Sequence, residues 1–306
     1  MKYTSFLIPI IVLLGLSEQM YSQPSDSLFI STTKVFQTDF IARFTGETPI
    51  DKSGTRLGPR STPRQRAAGA EFLYQTFEEL EMHPKYHSYR ALNVNFFVDL
   101  LIAPFRGKNV YATIPATIDT DEHVILGAHY DSEAGAPGAI DNATGVALNL
   151  MIGKELLKVE KRTKHVTIVF FDQEEDDEIG SKAFSKMIKE KEWNVHSVHI
   201  SDLIGWDSNG DRAVEIALAV PEMEALYTQK ADMLSIPIQN TRVRSSDHKP
   251  FYDLGYDALL YSEAYIGRDS TPYLHSEKDT FETVNFDYLA SATQLMFEVI
   301  KELIKE

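Results

Sequence analysis

Beyond its first two dozen residues the chain alternates short apolar runs with stretches of helical periodicity. Val124-Ile-Leu-Gly-Ala128 and Val166-Thr-Ile-Val-Phe-Phe171 are continuous apolar or β-branched runs, the pattern of strands buried on both faces. Val198–Leu203, Val214–Ala219 and Ala258–Tyr261 are further strands. Between and around them, Gln65–Met82 brings Phe72, Leu73, Phe77, Leu80 and Met82 near helical spacing. Asn142–Lys158, Ser181–Lys191, Pro221–Leu234 (with Pro in its first turn) and Asn285–Lys305 predict four more helices. Strands alternating with helices build βαβ units, so the pattern predicts an α/β fold with a mostly parallel sheet covered by helices on both faces. No repeat, low-complexity linker or second composition regime interrupts residues 61–306, which read as one domain. Residues 23–60, polar and punctuated by Gly and Pro, read as an exposed lead-in.

The first residues follow a different rule. Behind Lys2, Phe6–Leu16 is an apolar run of 11 residues that gives way to the polar stretch Ser17–Ser25. A membrane helix needs roughly 20 apolar residues. The run therefore reads as an export signal over residues 1–22, with an uncleaved anchor as the alternative, and no later segment is a membrane span. Export predicts a periplasmic or extracellular protein. The chain has no cysteine, so it has no disulfide, no thiol nucleophile and no thiolate metal site. Any metal must be held by His and carboxylates. A formal charge of −15 argues against nucleic acid or an anionic membrane surface as partner, because both reward clusters of Lys and Arg.

In sheets of this kind ligands bind beyond the carboxyl ends of the strands, and five acid- or His-bearing segments sit at such ends or in loops. His129, in Gly127-Ala-His-Tyr-Asp-Ser132, is a candidate metal ligand, and Asp131 is placed to accept its other ring N–H. Asp141 enters a helix in Gly138-Ala-Ile-Asp-Asn-Ala-Thr-Gly145. It reads either as a cap or as a carboxylate bridging two cations. Asn142-Ala-Thr144 matches a glycosylation sequon, but a glycan there would block the strand-end cleft. Phe170-Phe-Asp-Gln-Glu174-Glu175 runs a strand into adjacent carboxylates, which repel unless a cation or a shared proton neutralises them; a solvated acidic loop is the alternative. Asp202 lies inside an apolar strand, where burial without a partner is costly. His275 lies in the loop Tyr273–Thr280. His129, Asp141, one of the Glu pair, Asp202 and His275 make a set of two imidazoles and three carboxylates. Nitrogen and oxygen ligands without thiolate suit zinc, cobalt or manganese, with zinc the commonest in hydrolysis.

The order H-Y-D-S at His129, D-N-A-T-G at Asp141, E-E at Glu174 with G-S at Gly180, S-D-H-x-P-F at Ser246 and H-S-x-x-D-T at His275 resembles the M28 family of zinc aminopeptidases. The resemblance spans roughly residues 60–306. It implies a three-layer αβα fold with a mixed, mainly parallel central sheet, and two zinc ions at the carboxyl end of that sheet. Carried over motif by motif, His129 and Asp202 hold one ion, Glu175 and His275 hold the other, and Asp141 bridges them. Glu174 is the general base and Asp131 assists catalysis. Asp202 is the weakest match, since the family usually reads N-L-D where this chain has Ile200-Ser-Asp202; Asp207 is the fallback. The expected substrates are peptides with a free N-terminus, and the lack of an inserted second domain favours a monomer. Glutaminyl cyclases, single-zinc transferases of similar fold, are the rival, but they typically carry Trp before the last metal His, where this chain has Leu274. A carboxypeptidase relative would need a cation for the substrate carboxylate, and Arg242, Arg244 and Arg268 lie in flanking loops.

Overall fold

The computed structural model describes residues 24–91 and 105–305; the export signal expected over residues 1–22 lies outside them. Eight strands form one sheet: β1 (Lys85–Ala91), β2 (Phe105–Ile114), β3 (Glu122–His129), β4 (His165–Phe171), β5 (Asn194–Ser201), β6 (Val214–Ala217), β7 (Ile238–Thr241) and β8 (Ala258–Glu263). Their order is β1-β2-β4-β3-β5-β8-β6-β7. The centre, β4-β3-β5-β8, is parallel throughout. β1 and β2 run antiparallel to their neighbours, and β6 runs antiparallel to β8. The sheet is therefore mixed, and the apolar runs read from the sequence are its buried central strands. β1, β2 and β7 were not anticipated. β1 (Lys-Tyr-His-Ser-Tyr-Arg-Ala) and β7 (Ile-Gln-Asn-Thr) are polar because they are edges.

Helices cover both faces. On one side α1 (Pro24–Phe44), α2 (Pro63–Glu79), α3 (Thr144–Leu156), α5 (Pro221–Leu234) and α7 (Phe286–Leu303) enclose the larger core, with Phe44, Phe77, Leu148, Leu150, Phe170 and Leu295 among its fully buried side chains. On the other, α4 (Ile179–Glu190) and the short α6 (His248–Asp253) close a smaller core around Phe171, Phe184, Val198 and Phe251. The fold is a three-layer αβα sandwich. Thr62 caps α2, its side chain accepting from Gln65 N while Gln65 Oε1 accepts from Thr62 N, and Pro63 supplies a preset first turn.

One expectation is corrected. Residues 24–44 are a helix docked against α7, with Phe40, Ile41 and Phe44 buried. The lead-in 23–60 is polar taken whole, but within it Phe29, Thr33, Phe36, Gln37, Phe40, Ile41 and Phe44 recur every three or four residues along one helix. Buried Gln37 donates to Thr293 Oγ1 of α7 at 2.7 Å, so even its polar members are satisfied inside. Burial of each large apolar side chain contributes about 1.5–3 kcal/mol, enough to hold the helix against α7.

The register of the central strands sets the site. His129 at the end of β3 pairs with Phe171 at the end of β4, and Gly127 pairs with Ile200 near the end of β5. Residues 129–132, 172–175 and 202 therefore emerge side by side from three neighbouring parallel strands.

Candidate metal centre

The site begins with the way the first two strand ends are tied together. Tyr130 N donates to Phe171 O at 2.8 Å. The Asp131 carboxylate accepts Glu174 N at 3.1 Å and Glu175 N at 3.3 Å. Its Oδ1 also faces His129 Nδ1 at 3.5 Å. One carboxylate thus relates the His129 ring to the backbone carrying both glutamates. On the third strand end, Asp202 N donates to Tyr261 O of β8 at 3.1 Å.

Asp141 is held from another direction. The Asp279 carboxylate accepts Ile140 N at 2.8 Å and Asp141 N at 3.0 Å. Helix capping falls to Asn142: its Oδ1 accepts Gly145 N at 3.0 Å, and its Nδ2 donates to Ser201 O at 2.8 Å. The cap reading of this motif therefore belongs to Asn142, and the Asp141 carboxylate is spared for the cleft. Asn142 is wholly buried, consistent with the rejected sequon. A cis peptide joins Asp141 and Asn142. Buried Arg60 stitches the remaining loops, donating to Tyr130 O at 2.6 Å, Pro137 O at 2.9 Å and Gly138 O at 2.9 Å. Gly138 has φ +66°, and a Cβ there would lie 2.6 Å from an Arg60 guanidinium nitrogen, so glycine is required twice over.

The side chains converge on Asp141. His129 Nε2 lies 3.1 Å from Asp141 Oδ1 and 3.4 Å from Asp202 Oδ1. His275 Nε2 lies 3.2 Å from Asp141 Oδ2 and 3.2 Å from Glu175 Oε2. Each imidazole thus takes its own oxygen of Asp141 and its own second carboxylate. Glu133 joins Glu175 and His275, and each trio has ligand atoms within 4.8 Å of one another. Glu174 lines the adjoining cavity with Asp141 and Asp202. Asp207, the fallback for Asp202, is elsewhere: its carboxylate accepts Gly210 N in an exposed turn. Gln173, Leu203, Ser246 and His275, all bordering the cluster, hold positive φ of 61°, 51°, 101° and 54°. Strain of roughly 1–3 kcal/mol per residue persists only where the surroundings impose it.

The cluster is charge-frustrated. Burial pushes the Glu175 carboxyl up to about 8, with Asp141 adding to the effect. Burial also drives Glu174 well above the ordinary range, against the pull of His129 and with the help of Asp247 and Asp202. Burial opposes ionisation of Asp141 too, but the two imidazoles outweigh it and hold its carboxyl well below the usual range. Hydrogen bonding to Asp141 brings His275 up to about 9. Among the described residues no Lys or Arg forms an ion pair with Asp141, Glu175 or Asp202. Glu175 Oε1 is buried and without a hydrogen-bond partner as well. Clustered carboxylates and imidazoles with no cation of their own fit divalent ions, and a donor set of nitrogen and oxygen alone fits zinc.

The model of peptidase family M28 matches residues 109–300. The chain belongs to that family. Among curated proteins, this M28 chain is 28% identical over 218 residues to a probable leucine aminopeptidase of Arthroderma otae, covering 65% of this chain and 57% of that protein. The chain spans a little over half the length of the first curated relatives it matches. Among solved structures it resembles BSAP, a zinc aminopeptidase from Bacillus subtilis, with a TM-score of 0.75 at 14% identity over 89% of this chain and 95% of that one. It also resembles a glutaminyl cyclase of an Acidobacteriales bacterium, with a TM-score of 0.71 at 17% identity over 90% and 94%. These structural likenesses carry the fold and do not separate the two chemistries.

Three residues of the M28 site escaped the sequence reading. Asp279 lies in the H-S-x-x-D-T motif, but its hold on the Asp141 backbone is a contact across 138 residues. Glu133 follows His129-Tyr-Asp-Ser directly, and an acid so close behind a candidate ligand was the available signal. Arg60 offers none, because the hydrogen bonds of its guanidinium all go to backbone carbonyls.

Proposed function

We propose that the protein is an exported aminopeptidase that uses two zinc ions to remove residues from the free N-terminus of peptides. His129 and Asp202 would hold one ion and Glu175 and His275 the other, with Asp141 shared between them. The observation that carries this reading is the division of the Asp141 carboxylate, one oxygen to each imidazole. When bound, the ions supply Lewis acidity that polarises the scissile carbonyl and lowers the pKa of water towards about 7. Glu174 takes the proton of the attacking water and delivers it to the leaving amine. Its burial, which raises its proton affinity, suits a group that must first accept a proton. Asp131 orients the His129 ring and holds the Glu174 and Glu175 backbone in register with it. The carboxylates of the cluster attract a free α-ammonium, and an acylated terminus forfeits that attraction. The cavity of about 250 Å³ beside Glu174 is walled by Leu203, Val243, Leu260, Tyr265 and Leu274, a lining that suits an apolar N-terminal side chain.

The apolar run at Phe6–Leu16 supports export to the periplasm or the exterior. No helix among the described residues is long and apolar enough to cross a membrane. The likeness to glutaminyl cyclase folds keeps a transferase as the second reading. The test is hydrolysis of aminoacyl-p-nitroanilides by purified protein, with and without chelator, beside Glu174→Gln. Chelator-sensitive release that the substitution abolishes, with N-acetylated substrates refused, supports the aminopeptidase. Inert p-nitroanilides, together with conversion of N-terminal glutamine peptides to pyroglutamate, would overturn it for the cyclase.

A further inference from the structure

A second, more open cavity of about 470 Å³ adjoins the first, lined by Gln239, Asn240, Thr241, Arg242, Val243 and Ile266. The two share Val243, and the consecutive residues Tyr265 and Ile266 wall one each. The two cavities are therefore neighbours on one side of the site. Its walls are braced by one carboxylate: buried Glu215 accepts Gln239 Nε2 at 2.7 Å and Gly267 N at 2.7 Å on Oε1, and Ile266 N at 2.9 Å on Oε2. Strand β7 and the loop after β8 are thus tied to one point, and the cavity between them is preformed.

Arg242 is the cation in that cavity. Arg244 next along lies over the Tyr252 ring at 5.1 Å. The exposed Arg242 guanidinium has no ion-pair partner among the described residues. The neighbouring cavity presents Asp141, Glu174 and Asp202, in a chain of net charge −15. Those acids repel any carboxylate on an incoming peptide, and a nearby unpaired guanidinium offsets the repulsion where the peptide leaves the first cavity. We propose that Arg242 anchors a carboxylate carried by the peptide substrate, an inference that rests on the aminopeptidase reading above. The carboxylate is either an acidic side chain or the α-carboxylate of a short peptide.

Two ratios of kcat/KM separate these sources: Leu-Glu-Ala-amide over Leu-Gln-Ala-amide, and Leu-Ala-Ala over Leu-Ala-Ala-amide. Each is measured for wild type, Arg242→Gln and Arg242→Glu. An exposed ion pair predicts a fall of about two- to fivefold in one ratio for Arg242→Gln, and a further fall for Arg242→Glu. A fall in the first ratio assigns the side chain, and a fall in the second assigns the C-terminus. Any loss of folded protein scales both members of a ratio equally, so ratios that stay flat across the three proteins overturn the assignment. Wild-type protein that cleaves none of the four substrates sinks the aminopeptidase reading, and this one with it.

Discussion

Glu263 and Asp141 are both carboxylates buried in one molecule, and their surroundings are opposites. Glu263 accepts Gly205 N at 3.0 Å, Trp206 N at 2.7 Å, Thr271 N at 2.7 Å and Ser270 Oγ at 2.8 Å. Its lone pairs are filled by donors that carry no full charge. Asp141 has no such filling: its oxygens meet imidazoles, and the next neighbours are more carboxylates. Glu263 braces two loops without a counter-ion. Asp141 sits where only added positive charge, as protons or as metal, relieves the repulsion. A buried acid is thus a structural pin when peptide N–H groups saturate it, and a site when they do not.

That contrast breaks most visibly at the acid that meets the reaction. Glu174→Gln is expected to lower kcat by about 10²–10⁴-fold while zinc content and melting temperature hold. Equal loss of bound zinc would make Glu174 a ligand instead. Next in size, Asp141→Ala is expected to remove both ions together, read as zinc per chain after dialysis; retention of one full equivalent would refute a shared bridge. Glu263→Gln should do the reverse, keeping both ions while losing about 1–3 kcal/mol of stability from a disturbed buried network, measured by denaturant unfolding. The smallest effect is a tilt with pH. In metal-free protein Glu175 and Asp247 are raised to about 8, chiefly by burial, and His275 to about 9 by Asp141. The folded state then holds more protons than the unfolded one at neutral pH. Stability is accordingly full on the acid side and is lost as pH climbs through about 8–9. Asp141, lowered far below that window, does not reverse the sign. The melting temperature of metal-free protein should fall between about pH 6 and pH 9, and zinc, which replaces protons, should flatten the slope. A rise in melting temperature would contradict the sign.

Much of this was legible because strand ends are legible. An apolar run that stops at His129 or at Asp172-Gln-Glu-Glu announces both a buried strand and the place where its side chains turn outward. The parallel order then brings the ends together. What could not be read was held by contacts with no local pattern. Asp279 and Arg60 act on backbone groups 70 or more residues away. β7 is short and polar because it is an edge, so it mimics a loop. Helix α1 was misread because residues 23–60 were averaged as one polar, Gly- and Pro-punctuated stretch, which hid the spacing Phe36–Phe40–Phe44 at its start. Segment averages discard the phase information that distinguishes a docked helix from a tail.

The bond from Asp279 to the backbone of Asp141 also has a consequence in time. A chain made from its N-terminus acquires His129 and Asp141 long before His275 and Asp279 exist. Until then the carboxylate that relates the two imidazoles lacks both its second imidazole and the group that holds its own peptide. A partly synthesised chain therefore lacks the complete cluster. Assembly of the cluster is thus set by the order in which the sequence becomes available to fold.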